Sequence, residues 1–549
     1  MWRKIKWPFI VCVVMLTCFA FTPPAERYFE IAKNLDIFAT LFKEVNSYYV
    51  DDVEPQKLVR TGIDNMLSSL DPYTDYIPED EYEAFHISTS GQYGGIGALI
   101  GIVNKKTVIT HPYKNYPAYN AGIKVGDQLI SVDGKIVQSD QTSDVSLLLK
   151  GKPKTEVEVR VRRYGQKDDL TFKIKREKIS IANVAYFGMV EPDMGYIKLD
   201  DFTTGASREV SDALVALKQK GAKKLIFDLR DNPGGLLYEA VNIVSLFIPT
   251  GQEVVSMKGK MEEWNKMYRS LNSPIDTEMP IVLLVSEGSA SASEIVAGSL
   301  QDYDRAVLIG KKTFGKGLVQ TTRSLLYGTQ LKITTAKYYI PSGRCIQELD
   351  YTHRKADGTV LKIADSMRVA FKTKNGRKVF DGGGLDPDIK IDDEYLGAIT
   401  VALLNKGLIF EYASKYCAEN PVKPNFTNFT IADKAYDNFV EWVKQQKFSY
   451  NAALEKNTEQ LIRAARKEKS FPELEDQLAA LKTKVTANKA SDFIRFKNEI
   501  SDVLEQQIAF HYALTDGQAE ASLGKDKEVL EARRVLNNAM EYKKILSPN

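Results

Sequence analysis

Apolar positions near the start of the chain recur at spacings of three and four, at Leu35, Phe38, Phe42 and Val45, which is the period of an amphipathic helix. A second helical stretch runs from 54 to about 69 and is stopped by Asp71-Pro72-Tyr73-Thr74, because proline cannot continue a helix interior. Residues 23–85 therefore read as a small helical module. From Gly91 the pattern changes to short alternating runs broken by turn residues, at 93–100, 106–110, 128–132 and 155–163, which predicts the strands of a small half-open barrel. From Gly195 apolar runs at 196–199, 224–229, 281–285 and 306–309 alternate with helical stretches such as 208–220 and 294–303. That alternation predicts a largely parallel sheet covered by helices. Beyond 395 the chain is rich in Lys, Glu and Ala, and Leu474, Leu478, Leu481 and Val485 keep the helical period. Residues 396–549 are expected to be mostly helical, and no motif there suggests chemistry.

A chain of 549 residues is too long for one core and predicts about three or four modules. With 74 Lys+Arg against 72 Asp+Glu there is no global field to attract nucleic acid or an anionic membrane, and neither partner is implied. The amino terminus changes the picture more. Arg3, Lys4 and Lys6 precede an apolar run over 7–21, shorter than the roughly 20 residues a bilayer core requires, so 1–22 reads as an export signal with cleavage after Ala20. This places the expected protein in the periplasm or cell envelope, with an uncleaved inner-membrane anchor as the alternative. Leu16-Thr17-Cys18 is a poor lipobox. Outside that segment only Cys345 and Cys417 remain, too few for a disulfide framework, and no CxxC pair suggests zinc.

Between the strands of the barrel-like region lies 117–127, Pro-Ala-Tyr-Asn-Ala-Gly-Ile-Lys-Val-Gly-Asp. This stretch resembles the short helix and Gly-Asp turn of a PDZ domain, here spanning 86–180. The resemblance implies a groove in which a peptide's C-terminus adds as an extra strand, its carboxylate caught by backbone N–H groups of Gly94, Gly95, Ile96 and Gly97.

The chain has four histidines, His86, His111, His353 and His511, none in HExxH and none at metal-ligand spacing, and there is no GxSxG elbow. Any serine nucleophile needs another base. The buried run 281–285 passes through Ser286-Glu287-Gly288-Ser289-Ala290-Ser291-Ala292-Ser293 into a helix. A serine at such a start has unpaired N–H groups and the positive end of the helix dipole beside it, suited to an oxyanion, although a serine there can equally serve only as a cap. Downstream, 310–317 reads Gly-Lys-Lys-Thr-Phe-Gly-Lys-Gly, and Lys316 is set between Phe314 and Leu318. Desolvation is what lets a lysine act as a base near neutrality. The same residues fit a phosphate loop, but Gly317 stands where the Mg²⁺-binding hydroxyl belongs. A third segment, Asp228-Leu229-Arg230-Asp231-Asn232-Pro233-Gly234-Gly235, ends a strand with paired glycines whose N–H groups can approach a ligand closely.

Together these segments resemble the C-terminal processing (tail-specific) peptidases over most of 71–391. The family pattern of a small-residue serine run, Asp eleven on, Lys twenty-five on and Gln four beyond is met by Ser291, Asp302, Lys316 and Gln320. Tyr338-Tyr339-Ile340-Pro341-Ser342-Gly343-Arg344 and Gly383-Gly384-Leu385-Asp386-Pro387-Asp388 match as well. The departures are Lys154, where the family often has glycine, and Ile340 for threonine. The resemblance implies a multidomain α/β protein with a ClpP/crotonase-like catalytic domain at 181–395, a PDZ domain and helical N- and C-terminal regions. It implies Ser291 as nucleophile, Lys316 as base, Gln320 orienting the base, and oxyanion donors among Gly234, Gly235 and Ala292. Asp302 and Glu294 are supporting residues. No metal or organic cofactor is expected, and the expected partners are proteins or peptides with exposed apolar C-termini, with a homo-oligomer or an adaptor as further candidates. A catalytically silent peptide-binding scaffold is the competing class.

Overall fold

The structure, a computed structural model, describes residues 25–138, 142–355, 358–392 and 394–548, so the export signal expected at 1–22 lies outside it. The chain divides into two compact units, Met1–Tyr76 and Ile77–Asn549. In the first, helices α1 (Ala25–Tyr48) and α2 (Pro55–Ser68) follow the predicted periodicity. Pro55 opens α2, where its missing N–H leaves no bond unmade. The Asp71 motif is an Asx-type turn: its carboxylate accepts the N–H groups of Tyr73 and Thr74, both at 2.8 Å, and the Thr74 hydroxyl at 3.0 Å.

The second unit begins with an antiparallel sheet of β1 (Ala98–Val103), β2 (Lys106–Pro112), β3 (Gln128–Val132), β4 (Glu156–Arg162) and β5 (Leu170–Lys175), in that spatial order. Its side chains alternate: Val157, Val159 and Val161 enter a core with Ile96, Ile109 and Val132, while their neighbours face water. β1 is an edge strand, and helix α3 (Thr142–Leu149) packs beside it.

The central sheet has the order β6 (Val184–Glu191), β7 (Met194–Leu199), β8 (Lys224–Asp228), β11 (Ile281–Val285), β12 (Val307–Gly310) and β15 (Ile389–Lys390). All neighbours are parallel except β6 with β7. Both faces are covered, which is why β11 is an unbroken apolar run. Ile281, Leu283 and Val285 join the core beneath α4 (Ala206–Gln219), α5 (Leu237–Ser245) and α6 (Ala292–Asp302). Val282 and Leu284 meet Val529, Val535 and Tyr542 of α7 (Lys527–Asn537) and α8 (Ala539–Ile545) on the other side. The Tyr542 hydroxyl accepts from Ile281 N at 3.0 Å and donates to Ile281 O at 3.1 Å. The last two helices of the C-terminal stretch are therefore a layer of the sheet that carries the site.

A second, antiparallel sheet sets β14 (Gln330–Tyr339) between β13 (Leu318–Ser324) and β9 (Glu253–Gly259), with β10 (Lys266–Arg269) beyond β9. The sequence pattern did not lead to these strands. Between 396 and 522 the helices form a core of their own around Leu403, Phe439, Ile500 and Leu504.

Candidate active site

Where β11 ends, the small-residue run turns directly into α6, and its three alternate serines have different fates. Ser289 is fully buried, its hydroxyl donating to Leu229 O at 2.7 Å and accepting from Ser286 N at 2.9 Å. Ser293 is also buried and donates to Asn232 O at 2.9 Å. These two stitch the run to the end of β8. Ser291 is partly exposed and holds φ 56°, ψ −112°, a conformation that L-residues rarely adopt.

That turn is held by Glu294, one helical turn on and fully buried. Its Oε2 accepts the backbone N–H groups of Ser291 and Lys316, both at 2.9 Å, and its Oε1 accepts the Thr313 hydroxyl at 2.6 Å and Gly315 N at 2.8 Å. Burial pushes the carboxyl up to about 7, against the pull of these donors. From the far side the Tyr338 hydroxyl lies between the carbonyls of Ser291 (3.2 Å) and Lys316.

The paired glycines sit against the serine. A Cβ on Gly234, whose φ is +97°, would meet Ala290 O at 2.6 Å, Ala292 N at 2.8 Å and Ser291 Cβ at 2.9 Å, so only glycine allows this approach. Gly234 N donates to Asn232 Oδ1 at 2.8 Å and is thus already engaged. The N–H groups of Gly235 and Ala292 have no partner among the described residues. Ser291, Ala292, Lys316, Gln320, Gly234 and Gly235 line one pocket of about 420 Å³. A hydroxyl, an amine and free backbone donors around one cavity are the parts an acyl transfer uses.

A model of peptidase family S41 matches residues 193–355, one of the PDZ domain matches 108–163, and one described as the C-terminal helical domain of a probable PDZ-protease matches 399–536. The probable CtpA-like serine protease of Staphylococcus aureus (strain COL) is 36% identical over 394 residues, covering 71% of this chain and 76% of that protein. This chain belongs to the C-terminal processing peptidases of family S41. The carboxy-terminal-processing protease of Bartonella bacilliformis is 36% identical over 324 residues, 58% of this chain and 74% of that protein. Among solved structures, the photosystem II D1 C-terminal processing protease is 27% identical, covering 66% of this chain and 93% of that one, with a TM-score of 0.35.

Not every residue singled out in the sequence reaches the pocket of this S41 peptidase. Gln320 does, and its amide donates to the Thr334 hydroxyl at 3.1 Å. Asp302 does not: it closes α6 at the end opposite Ser291, roughly 16 Å away at the helical rise. There it pairs with Arg344 at 2.8 Å and accepts Ser342 N at 2.9 Å, which fixes the 341–344 turn. In the PDZ region Gly94 and Gly95 belong to a short strand, Gln92–Gly95, paired with Glu177–Ser180, and the open turn is Ile96-Gly97.

Sequence reasoning missed the residues that hold the glycine loop. Asn232 is fully buried, donates to Leu199 O at 2.8 Å and accepts Gly234 N, so a single carboxamide sets the turn. Arg230 binds both oxygens of buried Asp228 and reaches Asp526 (2.8 Å) and Glu528 at the start of α7. Of the carboxylates it serves, Glu528 lies 298 positions downstream, a pairing no local pattern announces.

Proposed function

We propose that this protein is a serine endopeptidase with a Ser291–Lys316 dyad that binds exposed C-terminal tails of exported proteins through its PDZ domain and cleaves near their ends. One observation carries the reading: Ser291 and Lys316 line the same pocket, and their backbones are bolted to one carboxylate oxygen. Neutral Lys316 takes the Ser291 proton as Oγ attacks the scissile carbonyl. The N–H groups of Gly235 and Ala292, the latter at the positive end of α6, receive the oxyanion. The lysine then gives its proton to the leaving amine, and water, deprotonated by the same lysine, hydrolyses the acyl-enzyme. Gln320 orients Lys316 from β13.

Tail binding is supported by the edge position of β1, by α3 beside it, and by Ile96 and Gly97, whose N–H groups have no partner among the described residues. A Cβ at Gly97 would meet Tyr116 Cβ at 2.5 Å, so the turn stays open only as glycine. The basic start and apolar run before residue 22 support action outside the cytoplasm. The test is cleavage of an unstructured peptide with an apolar C-terminus. Ser291→Ala and Lys316→Ala should each abolish it while keeping the melting temperature, and a chelator should leave it unchanged. Retained cleavage by folded Ser291→Ala would overturn the dyad.

A further inference from the structure

The loop that leaves β7 reads Asp200-Asp201-Phe202-Thr203 and is held along the paired glycines. Phe202 N donates to Gly234 O at 3.3 Å, and Phe202 O accepts Leu236 N at 2.8 Å. Thr203 gives its N–H (2.7 Å) and its hydroxyl (2.9 Å) to Asn183 Oδ1. Of the two carboxylates in this loop, Asp200 has Lys198 at 3.7 Å. Asp201 is half-buried, yet it accepts no hydrogen bond and meets no cation among the described residues, and burial, then the charge of Asp200, raises its carboxyl. It nevertheless lines the pocket of Ser291, and among the described residues it is the one carboxylate that does. The other charged residues there are Lys316 and Lys332, and Asp201 pairs with neither. A partly desolvated charge without a partner is a cost that a bound cation would offset.

The flank of the pocket on which Asp201 stands follows from its neighbours. The helix Tyr82–Ser90 contributes Phe85, Ser88 and Thr89 to the same pocket and ends at Gly91, where a Cβ would lie 2.7 Å from the Thr203 hydroxyl. From Gly91 the chain enters the strand Gln92–Gly95 and then the open turn Ile96-Gly97. Tyr113 donates its N–H to Gly97 O at 2.9 Å, and its hydroxyl is raised by burial and by the Asp201 charge. Asp201 therefore lies on the flank that faces the tail-binding turn. A substrate held there by its C-terminus presents to this flank the residues between its scissile bond and its tail.

We propose that Asp201 is a specificity-determining residue, which receives a lysine or arginine side chain of the substrate on the leaving side of the scissile bond and turns away an acidic one. The inference rests on Ser291 and Lys316 as the catalytic centre and on tail binding at Ile96 and Gly97, and adds which substrates that centre prefers. A basic side chain supplies the counter-charge that the carboxylate lacks and relieves the oxyanion at Gly235 and Ala292 of a negative neighbour. An acidic one adds a like charge to the pocket, and discrimination is the difference between the two.

The experiment uses the full-length enzyme and fluorogenic, unstructured peptides with one cleavage site and a common apolar tail. Single positions on either side of that site, outside the last four residues so that tail binding is untouched, carry Lys, Ala or Glu in turn. Products are identified by mass, so that only cleavage at the same bond is compared. We expect kcat/KM for Lys to exceed that for Glu about ten-fold at one or two neighbouring leaving-side positions, and the ratio to shrink at high salt. In Asp201→Asn the ratio should fall to within about two-fold of unity, and in Asp201→Lys it should invert. A ratio between two peptides does not depend on how much of a variant is folded, so a destabilised variant still reports. A preference that survives in Asp201→Asn, or one confined to the acyl side of the bond, would overturn the proposal. No preference in the wild type, with cleavage that depends on Ser291, would overturn it and leave the dyad standing. Cleavage of the parent peptide by Ser291→Ala would instead remove the reading beneath it.

Discussion

Ser291 and Lys316, twenty-five residues apart in the chain, end on the same atom: the backbone N–H of each donates to Oε2 of Glu294 at 2.9 Å. A serine in a rarely adopted backbone conformation and a lysine in a glycine loop are thereby fixed relative to each other, with no other residue between. Replacing Glu294 by Gln keeps the volume but offers one acceptor oxygen to four donors, leaving buried N–H groups unmet at about 1–3 kcal/mol each. We expect Glu294→Gln to fold with reduced stability and to lose on the order of 100-fold in kcat. Normal kcat in that variant would show that the shared carboxylate does not set the geometry.

The same carboxyl predicts a pH dependence. Burial raises it in the folded protein to about 7, above its value of about 4.5 in the unfolded chain. A folded-state value that is raised contributes stability below the unfolded value and loses it as pH climbs through the folded one. Glu294 alone should therefore lower stability by roughly 3 kcal/mol between pH 4.5 and 7 and add nothing further above. Ionised, it can accept all four donors, so activity should rise across the same range. Denaturant unfolding and kcat, compared between wild type and Glu294→Gln from pH 5 to 8, check both: the component centred near 7 should vanish in the variant.

The flanking serines should behave unlike the middle one. Ser289→Ala leaves part-buried Ser286 N without its partner, while Leu229 O keeps the N–H of Asn232 at 3.3 Å, and Ser293→Ala removes one of two donors to Asn232 O, which keeps the N–H of Ala290 at 3.0 Å. Ser289→Ala should cost about 1–3 kcal/mol of stability and Ser293→Ala about 0.5–1.5 kcal/mol, and both should keep catalysis at temperatures where the protein stays folded. Ser291→Ala should do the reverse. Thermal unfolding and peptide cleavage on the three variants give the comparison.

Arg230 joins the glycine loop to the start of α7. Arg230→Ala strands fully buried Asp228 without its cation, a loss of about 3–5 kcal/mol, and should destabilise far more than removal of a surface arginine such as Arg208. Tyr542→Phe, which deprives Ile281 N and O of their shared hydroxyl, should cost about 1–3 kcal/mol. Both are read by urea unfolding, and a neutral result at Arg230 would mean that the loop does not depend on the helix.

Tail recognition and cleavage should separate. Amidating the peptide's C-terminus removes the charge that Ile96 and Gly97 would receive, and should weaken binding about ten-fold by calorimetry. A Gly95→Trp variant, whose side chain starts 2.8 Å from the Tyr93 ring, should lose cleavage of peptides with apolar tails but still hydrolyse a small activated ester. Loss of the ester reaction too would mean that tail binding helps assemble the catalytic site.

Much of this was legible in the chain. The run at 281–285, the small residues after it and the helix beyond gave the turn that carries Ser291, because a doubly covered strand and a tight turn each leave a local mark. The middle serine was singled out by its distance to Lys316 in the family pattern, and the structure adds why its neighbours differ: their hydroxyls are engaged with Leu229 and Asn232. Asp302, expected as a supporting residue, lies at the far end of α6, where it holds the 341–344 turn rather than the pocket. Gly234 is required for its closeness rather than for its N–H. The second sheet was not read, because β13 and β14 mix Lys, Arg, Thr and Gln at positions that alternate poorly. The ties of Arg230 and Tyr542 join segments more than 250 residues apart, and spacing carries no information at that range.

The layer formed by α7 and α8 also sets a schedule. Glu191, beside the first strands of the central sheet, waits for Arg533, 342 positions later, and β11 waits for Tyr542. As the chain emerges from its amino end, the strands that aim Ser291 and the glycine loop are all made while one face of their sheet is still bare. Contacts of such long sequence separation form late and slowly. Ser291, Lys316 and the glycine loop are therefore all synthesised before the helical layer that stiffens the sheet beneath them.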